Sequence, residues 1–161
     1  MVCLAVAIVR CWPLPTRMTP DVNLLVAASR DDHPHHLIAR AWLIDALAQL
    51  EAGRPLRLLP MVLAGFLRLV TNPKIFLQPT PTQDAFEFVD ALLKVQGVEL
   101  PGCGTEWPTL RSLCLEKNLS ANAIPDAWIA ASVTQLGEHL VTFDKDFRRL
   151  LTRSQLTVLK G

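Results

Sequence analysis

From Met18 onward, short unbroken apolar runs alternate with longer stretches whose apolar positions recur every three or four residues. Met18 to Asp21 predicts a very short first strand, and Asn23 to Ala28 opens the first helix. Pro34 suits the first turn of another helix, where Leu37, Ile38, Ala41, Trp42, Leu47 and Leu50 share a face until Gly53 stops it. Leu56 to Leu59 predicts a second strand. Met61 to Val70 predicts a largely apolar helix that Asn72 and Pro73 terminate. Thr80, Pro81 and Gln83 combine a Thr N-cap, a proline at the first helical position and a glutamine three residues past the cap. The helix they start carries Ala85, Phe88, Val89, Leu92 and Leu93, and Gly97 ends it. Val98 to Leu100 predicts a third strand, and Trp107, Leu110, Leu113 and Cys114 mark the next helix. A polar loop from Asn118 to Ala123 precedes a helix from Pro125 to Gly137, and strands follow at Leu140 to Phe143 and Leu156 to Leu159. Strands alternating with helices point to an α/β domain with a parallel sheet.

The chain has 161 residues, enough for one well-buried domain and too few for two ordinary ones, and half of them are apolar. A net charge of +1 excludes a global polyelectrolyte partner signal. Nucleic-acid binding therefore has to come from a local patch such as Arg148, Arg149, Arg153 and Lys160, whose plain alternative is a solvated C-terminal face. Cys3, Cys11, Cys103 and Cys114 form no CxxC pair and precede no histidine at zinc spacing, so a reduced, cytoplasmic protein without structural zinc is expected. The apolar run Val2 to Val9 is far shorter than a membrane span, and Arg10 interrupts it before any cleavage site. Pro13 and Pro15 forbid regular structure around them. Residues 1–17 are read as an unstructured extension or a misassigned start, and residues 18–161 as the single domain, with no membrane association.

Three acids stand where a strand meets a helix or loop: Asp21 before Val22 and Asn23, Asp126 after Pro125, and Asp144 after Thr142 and Phe143. Taken singly, each has an ordinary role. Asp21 suits an N-cap, Asp126 (as the second residue of a helix) suits the dipole, and Asp144 and Asp146 suit a turn. In an α/β fold, however, such junctions converge at the carboxyl ends of the strands. Gathered carboxylates repel one another unless a hard cation neutralises them. Ala130 and Ala131 allow close packing beside Asp126, and the Thr142 hydroxyl is expected near Asp144. Other polar groups read as structural. His33, His35 and His36 bracket a solvated helix start, His139 enters a strand, and Trp42, Trp107 and Trp128 fall at core spacing. Ser120 and Ser132 lack the partners of a nucleophilic triad.

The segments around Asp21 to Ala28, Gly65 to Pro73, Ile124 to Ala131 and Val141 to Phe147, in that order, resemble the PIN domain, and within it the VapC toxins of bacterial toxin–antitoxin pairs. The resemblance implies a three-layer α/β/α sandwich around a central, mainly parallel sheet. It implies a metal-dependent endoribonuclease with Asp21, Asp126 and Asp144 holding Mg²⁺ or Mn²⁺. Asn23 and Thr142 are implied as hydrogen-bonding supports of the carboxylates or the phosphate, and Asp146 as a secondary acid. An RNA substrate, a cognate antitoxin and a homodimer complete what it implies. A further glutamate common in the family's middle helix is here Gly65, which leaves either three carboxylates alone or a substitute such as Asp32. A PIN-like module that binds RNA or protein without cutting is the alternative reading.

Overall fold

The computed structural model describes residues 17–161. The expectation for residues 1–17 falls on positions outside the described residues, Arg17 excepted. Five strands, β1 (Met18–Pro20), β2 (Leu56–Arg57), β3 (Val98–Glu99), β4 (His139–Thr142) and β5 (Leu156–Val158), form one sheet in the order β3-β2-β1-β4-β5. Every pairing is parallel, with Met18 beside both Leu56 and His139, and Thr142 beside Val158. Six helices complete a three-layer α/β/α sandwich: α1 (Val22–Ser29), α2 (His36–Ala48), α3 (Pro60–Val70), α4 (Thr82–Leu93), α5 (Trp107–Glu116) and α6 (Ala123–Leu136). The chain steps from β1 outward to β3 and then returns to lay β4 on the other flank of β1. That reversal makes the β1–β4 junction the topological switch point, where a crevice opens at the carboxyl ends.

The strands are short because buried apolar runs are short: Met18, Leu56, Leu140 and Val141 are each nearly inaccessible. The core joins Leu24, Leu25, Val62, Phe66, Val133 and Phe147 from helices packed on that sheet, with Leu58 from the loop after β2. A second, smaller cluster lies between α5 and α6, where Leu110 meets Ala127 and Ala131 and Cys114 packs at its margin. Cys103 is exposed, and neither it nor Cys114 is bridged. No helix among the described residues is long and apolar enough to cross a membrane.

Four local expectations need correction. Thr80 does not cap α4. The helix begins at Thr82 without a side-chain cap, and the Thr80 hydroxyl instead accepts a hydrogen bond from Arg30 Nη1 at 3.0 Å. Arg30 also bonds Asp32 and the Gln78 carbonyl and lies 3.9 Å over the Phe76 ring, so a tertiary clamp displaces the local cap. Asp126 is the fourth residue of α6, which starts two residues before Pro125. Trp107 is 58% exposed, because α5 turns Leu110 inward instead. The histidines are not simply solvated: His36 Nδ1 is 2.9 Å from the Ala27 carbonyl, and the His35 ring stacks on Phe143 with centroids 4.7 Å apart. His139 is structural as expected, its ring bonded to the Ser154 carbonyl and the Thr157 hydroxyl.

Candidate metal centre

Asp21 is delivered by β1, whose end is fixed when the Asp21 amide donates to the Val141 carbonyl of β4 at 2.9 Å. Its extended backbone places it as the N-cap of α1, and Oδ1 accepts the Val22 amide at 2.6 Å. Oδ2 accepts the Thr142 hydroxyl at 2.7 Å. Thr142 in turn accepts from Asn23 Nδ2 at 3.0 Å and from the Asp144 amide at 2.9 Å. Asn23 Oδ1 accepts the Phe143 amide at 3.2 Å. Thus one fully buried hydroxyl ties the ends of β1 and β4 together and points a carboxylate into the crevice between them. Asp144 has its Oδ1 on the Asp146 amide at 2.8 Å, which starts the 3₁₀ helix Lys145–Arg149. Asp126 comes from the first turns of α6, held close by the buried Ala127, Ala130 and Ala131.

The electrostatics show that these acids share one region. Asp21 is 4% exposed, and burial raises its carboxyl from the ordinary 3.8 to about 6 despite hydrogen bonds that favour the anion. The charges of Asp126 and Asp144 push it in the same direction. Asp126 is itself raised by burial and then by Asp144 and Asp146. Among the described residues, none of the three acids has a salt-bridge partner. The set is therefore all oxygen, anionic and short of positive charge, which is the donor chemistry of Mg²⁺ or Mn²⁺. Yet no three His, Cys, Asp or Glu side chains among the described residues stand together at metal-ligand spacing. Asp126 and Asp144 are each half-buried, and Asp144 is held as the cap of the 3₁₀ helix.

Two other features bear on the site. Asp32 supplies no substitute acid, because both its oxygens are on Arg30, at 2.9 and 2.6 Å. Gly65 faces Val22: a Cβ at position 65 would lie 2.8 Å from Val22 Cγ2, inside van der Waals contact. Packing between α3 and α1 thus favours a glycine here, which no local signal in the sequence reveals. A cleft of about 760 Å³ opens elsewhere, between Arg17, Pro55, Gly97 and Gly137 at the amino ends of the strands. Its Arg57 is committed to Glu99 and to the buried Glu138, at 2.8 and 2.6 Å. That end is a structural ion-pair seam, and the acids lie at the opposite end of the sheet.

Residues 18–151 match the family described as PIN domain. The chain is 41% identical over 131 residues to Ribonuclease VapC25 of Mycobacterium tuberculosis, covering 80% of this chain and 89% of that protein. It is also 41% identical over 133 residues to Ribonuclease VapC31 of the same organism, with 80% and 89% covered. Among solved structures, VapBC2 from Rickettsia felis bound to a fragment of promoter DNA aligns with a TM-score of 0.58 at 17% identity, covering 89% of this chain and 97% of that one. At that identity the likeness concerns the fold alone. Sequence and architecture together place the chain in the PIN-domain family, in its VapC branch.

Proposed function

We propose that the protein is a Mg²⁺- or Mn²⁺-dependent endoribonuclease, the toxin of a VapBC-type pair, working in the cytoplasm under the control of a cognate antitoxin. The observation that carries this reading is the buried Asp21 carboxylate at the β1–β4 switch point, facing Asp126 and Asp144 with no cation to offset them. Asp21, Asp126 and Asp144 would hold the ion, which when bound supplies positive charge against phosphate oxygens and makes water a better acid. Thr142 orients Asp21 by donating to Oδ2, leaving the anion's remaining lone pairs for the crevice. Asn23 fixes Thr142 and the Phe143 backbone, and so holds Asp144 in register with Asp21. Asp146, exposed and within electrostatic reach of Asp126, would be the secondary acid beside the three ligands. The relatives' names, Ribonuclease VapC25 and Ribonuclease VapC31, support the same activity.

The competing reading is a PIN fold that binds RNA or a partner without cutting. It is favoured by the wide spacing of the acids and by Gly65 packed against Val22. Purified protein, structured RNA and a Mg²⁺ or Mn²⁺ series decide between them. Metal-dependent cleavage that Asp21→Asn abolishes supports the nuclease; tight RNA binding without cleavage at any metal concentration supports the module.

A further inference from the structure

We propose that the basic surface of the Lys145–Arg149 helix and the turn before β5 seats the RNA strand as it leads away from the cleaved bond along the edge of the sheet, with Arg148 and Arg153 gripping its phosphates. This rests on the ribonuclease reading and adds to it where the substrate runs. Between Asp144 and Gly161 the chain carries five cations, Lys145, Arg148, Arg149, Arg153 and Lys160, against two acids, a local excess of three in a protein whose net charge is +1. All five are exposed, and among the described residues none makes an ion pair or a side-chain hydrogen bond. Their charge is therefore spent neither on folding nor on internal pairing.

The helix geometry sorts these cations. With three residues per turn, Lys145 and Arg148 share one side, Asp146 and Arg149 the second, and Phe147 the third, which is buried at 1% exposure. Asp146 is within electrostatic reach of Asp126, so the acids lie beside the start of this helix. The Arg148 side opens onto a cleft of about 590 Å³ that Arg148 and Arg153 flank and Leu151, Leu156 and Val158 floor. Arg148 lies about 8 Å along the helix axis from Asp144, at a rise of about 2.0 Å per residue. A strand whose scissile phosphate sits at the acids therefore reaches Arg148 by following the helix, and Arg153 by running on beside β5 toward its amino end. Guanidinium forks match phosphate oxygens, and the apolar floor offers a surface to a nucleobase. β5 is also an edge strand, so an extended acidic peptide is the other class of occupant. Continuity with the acids through one turn of helix favours the RNA.

Fluorescence anisotropy of the full chain with a short single-stranded RNA in EDTA, across a salt series, tests this, with circular dichroism to check folding. Each phosphate contact to a single strand contributes about 0.7 to the slope of log affinity against log salt, so Arg148→Gln/Arg153→Gln is expected to reduce the slope by about 1.4. At about 0.15 M salt that corresponds to roughly tenfold weaker binding. Arg148→Lys/Arg153→Lys, which keeps the charge, should retain the wild-type slope. Wild-type protein that binds no RNA, or a Gln pair with an unchanged slope, overturns the proposal. So does loss of an acidic extended peptide's binding by the Gln pair while RNA binding stays intact. Cleavage by the wild type in Mg²⁺ is scored separately. Slope loss without any cleavage would remove the nuclease reading and leave the RNA seat standing, whereas cleavage with an unchanged slope would do the reverse.

Discussion

Filling position 65 is expected to destabilise the protein, although glycine inside a helix is ordinarily the poorer choice. Replacing a helix-interior glycine by alanine gains up to about 1 kcal/mol of propensity. Here the added Cβ would meet Val22 Cγ2 at 2.8 Å and Cγ1 at 3.4 Å, where carbon pairs prefer about 3.5–4.0 Å. Val22 is β-branched, so its methyls do not swing aside cheaply, and overpacking of this kind costs about 1–3 kcal/mol. The clash wins, and Gly65→Ala should lose about 1 kcal/mol. Because the Val22 amide holds Asp21 Oδ1 at 2.6 Å, a displaced Val22 also tilts the carboxylate. Urea denaturation of Gly65→Ala, Val22→Ala and the double variant measures the coupling. The pair should be non-additive by about 1 kcal/mol or more, with Val22→Ala relieving the second substitution. Gly65→Glu, which would restore the family's glutamate, should gain neither stability nor metal affinity unless Val22 is also cut back. Gly65→Ala raising stability by the full propensity term, or the two substitutions adding within about 0.5 kcal/mol, would refute the packing argument.

Thr142→Val removes the hydroxyl that serves Asp21, Asn23 and the Asp144 amide, and should cost about 1–3 kcal/mol by chemical denaturation. It should also move the acid limb of any pH–rate profile upward, since that hydrogen bond holds the Asp21 carboxyl down. In metal-free protein the folded Asp21 binds its proton more tightly than the unfolded chain does, with 3.8 raised to about 6. Its contribution is therefore full below pH 3.8 and is lost as pH rises through about 6, roughly 3 kcal/mol in all at about 1.36 kcal/mol per pH unit. Comparing pH–stability curves of wild type and Asp21→Asn isolates that slope; curves that stay parallel from pH 4 to 7 contradict it. We also propose a homodimer, because Leu37, Ile38 and Ile44 on α2 and Phe86 on α4 are 79%, 39%, 53% and 49% exposed. Sedimentation at micromolar concentration should show twice the 17.9 kDa chain mass, and Leu37→Asp/Ile44→Asp should return the monomer.

What the sequence discloses here is whatever depends on near neighbours. Leu140 to Phe143 reads as a strand because an apolar run lies between Gly137 and the Asp144 turn, and the spacing from Thr142 to Asp144 already places a hydroxyl near the strand end. Asp21 and Asn23 are likewise legible as a pair at a helix start. Contacts across long separations are not legible. Thr80 has the composition of a cap, but a guanidinium fifty residues earlier takes its oxygen. Trp107 shares the period of Leu110, yet α5 has its own small cluster with α6 and leaves the indole outside. Gly65 looks like a missing acid until Val22 is found against it. The convergence of Asp21 with Asp144 follows from strand order, which alternation predicts only as far as a parallel sheet.

Everything proposed for the site rests on Asp21, Asp126 and Asp144 binding one divalent ion for RNA cleavage. Mn²⁺ titration monitored by electron paramagnetic resonance, run beside RNA cleavage on the same samples, tests it most directly. Saturable Mn²⁺ binding and metal-dependent cleavage are expected in the wild type, both lost in Asp21→Asn and in Asp126→Asn while the variants stay folded. Mn²⁺ binding and cleavage that survive both substitutions would contradict it.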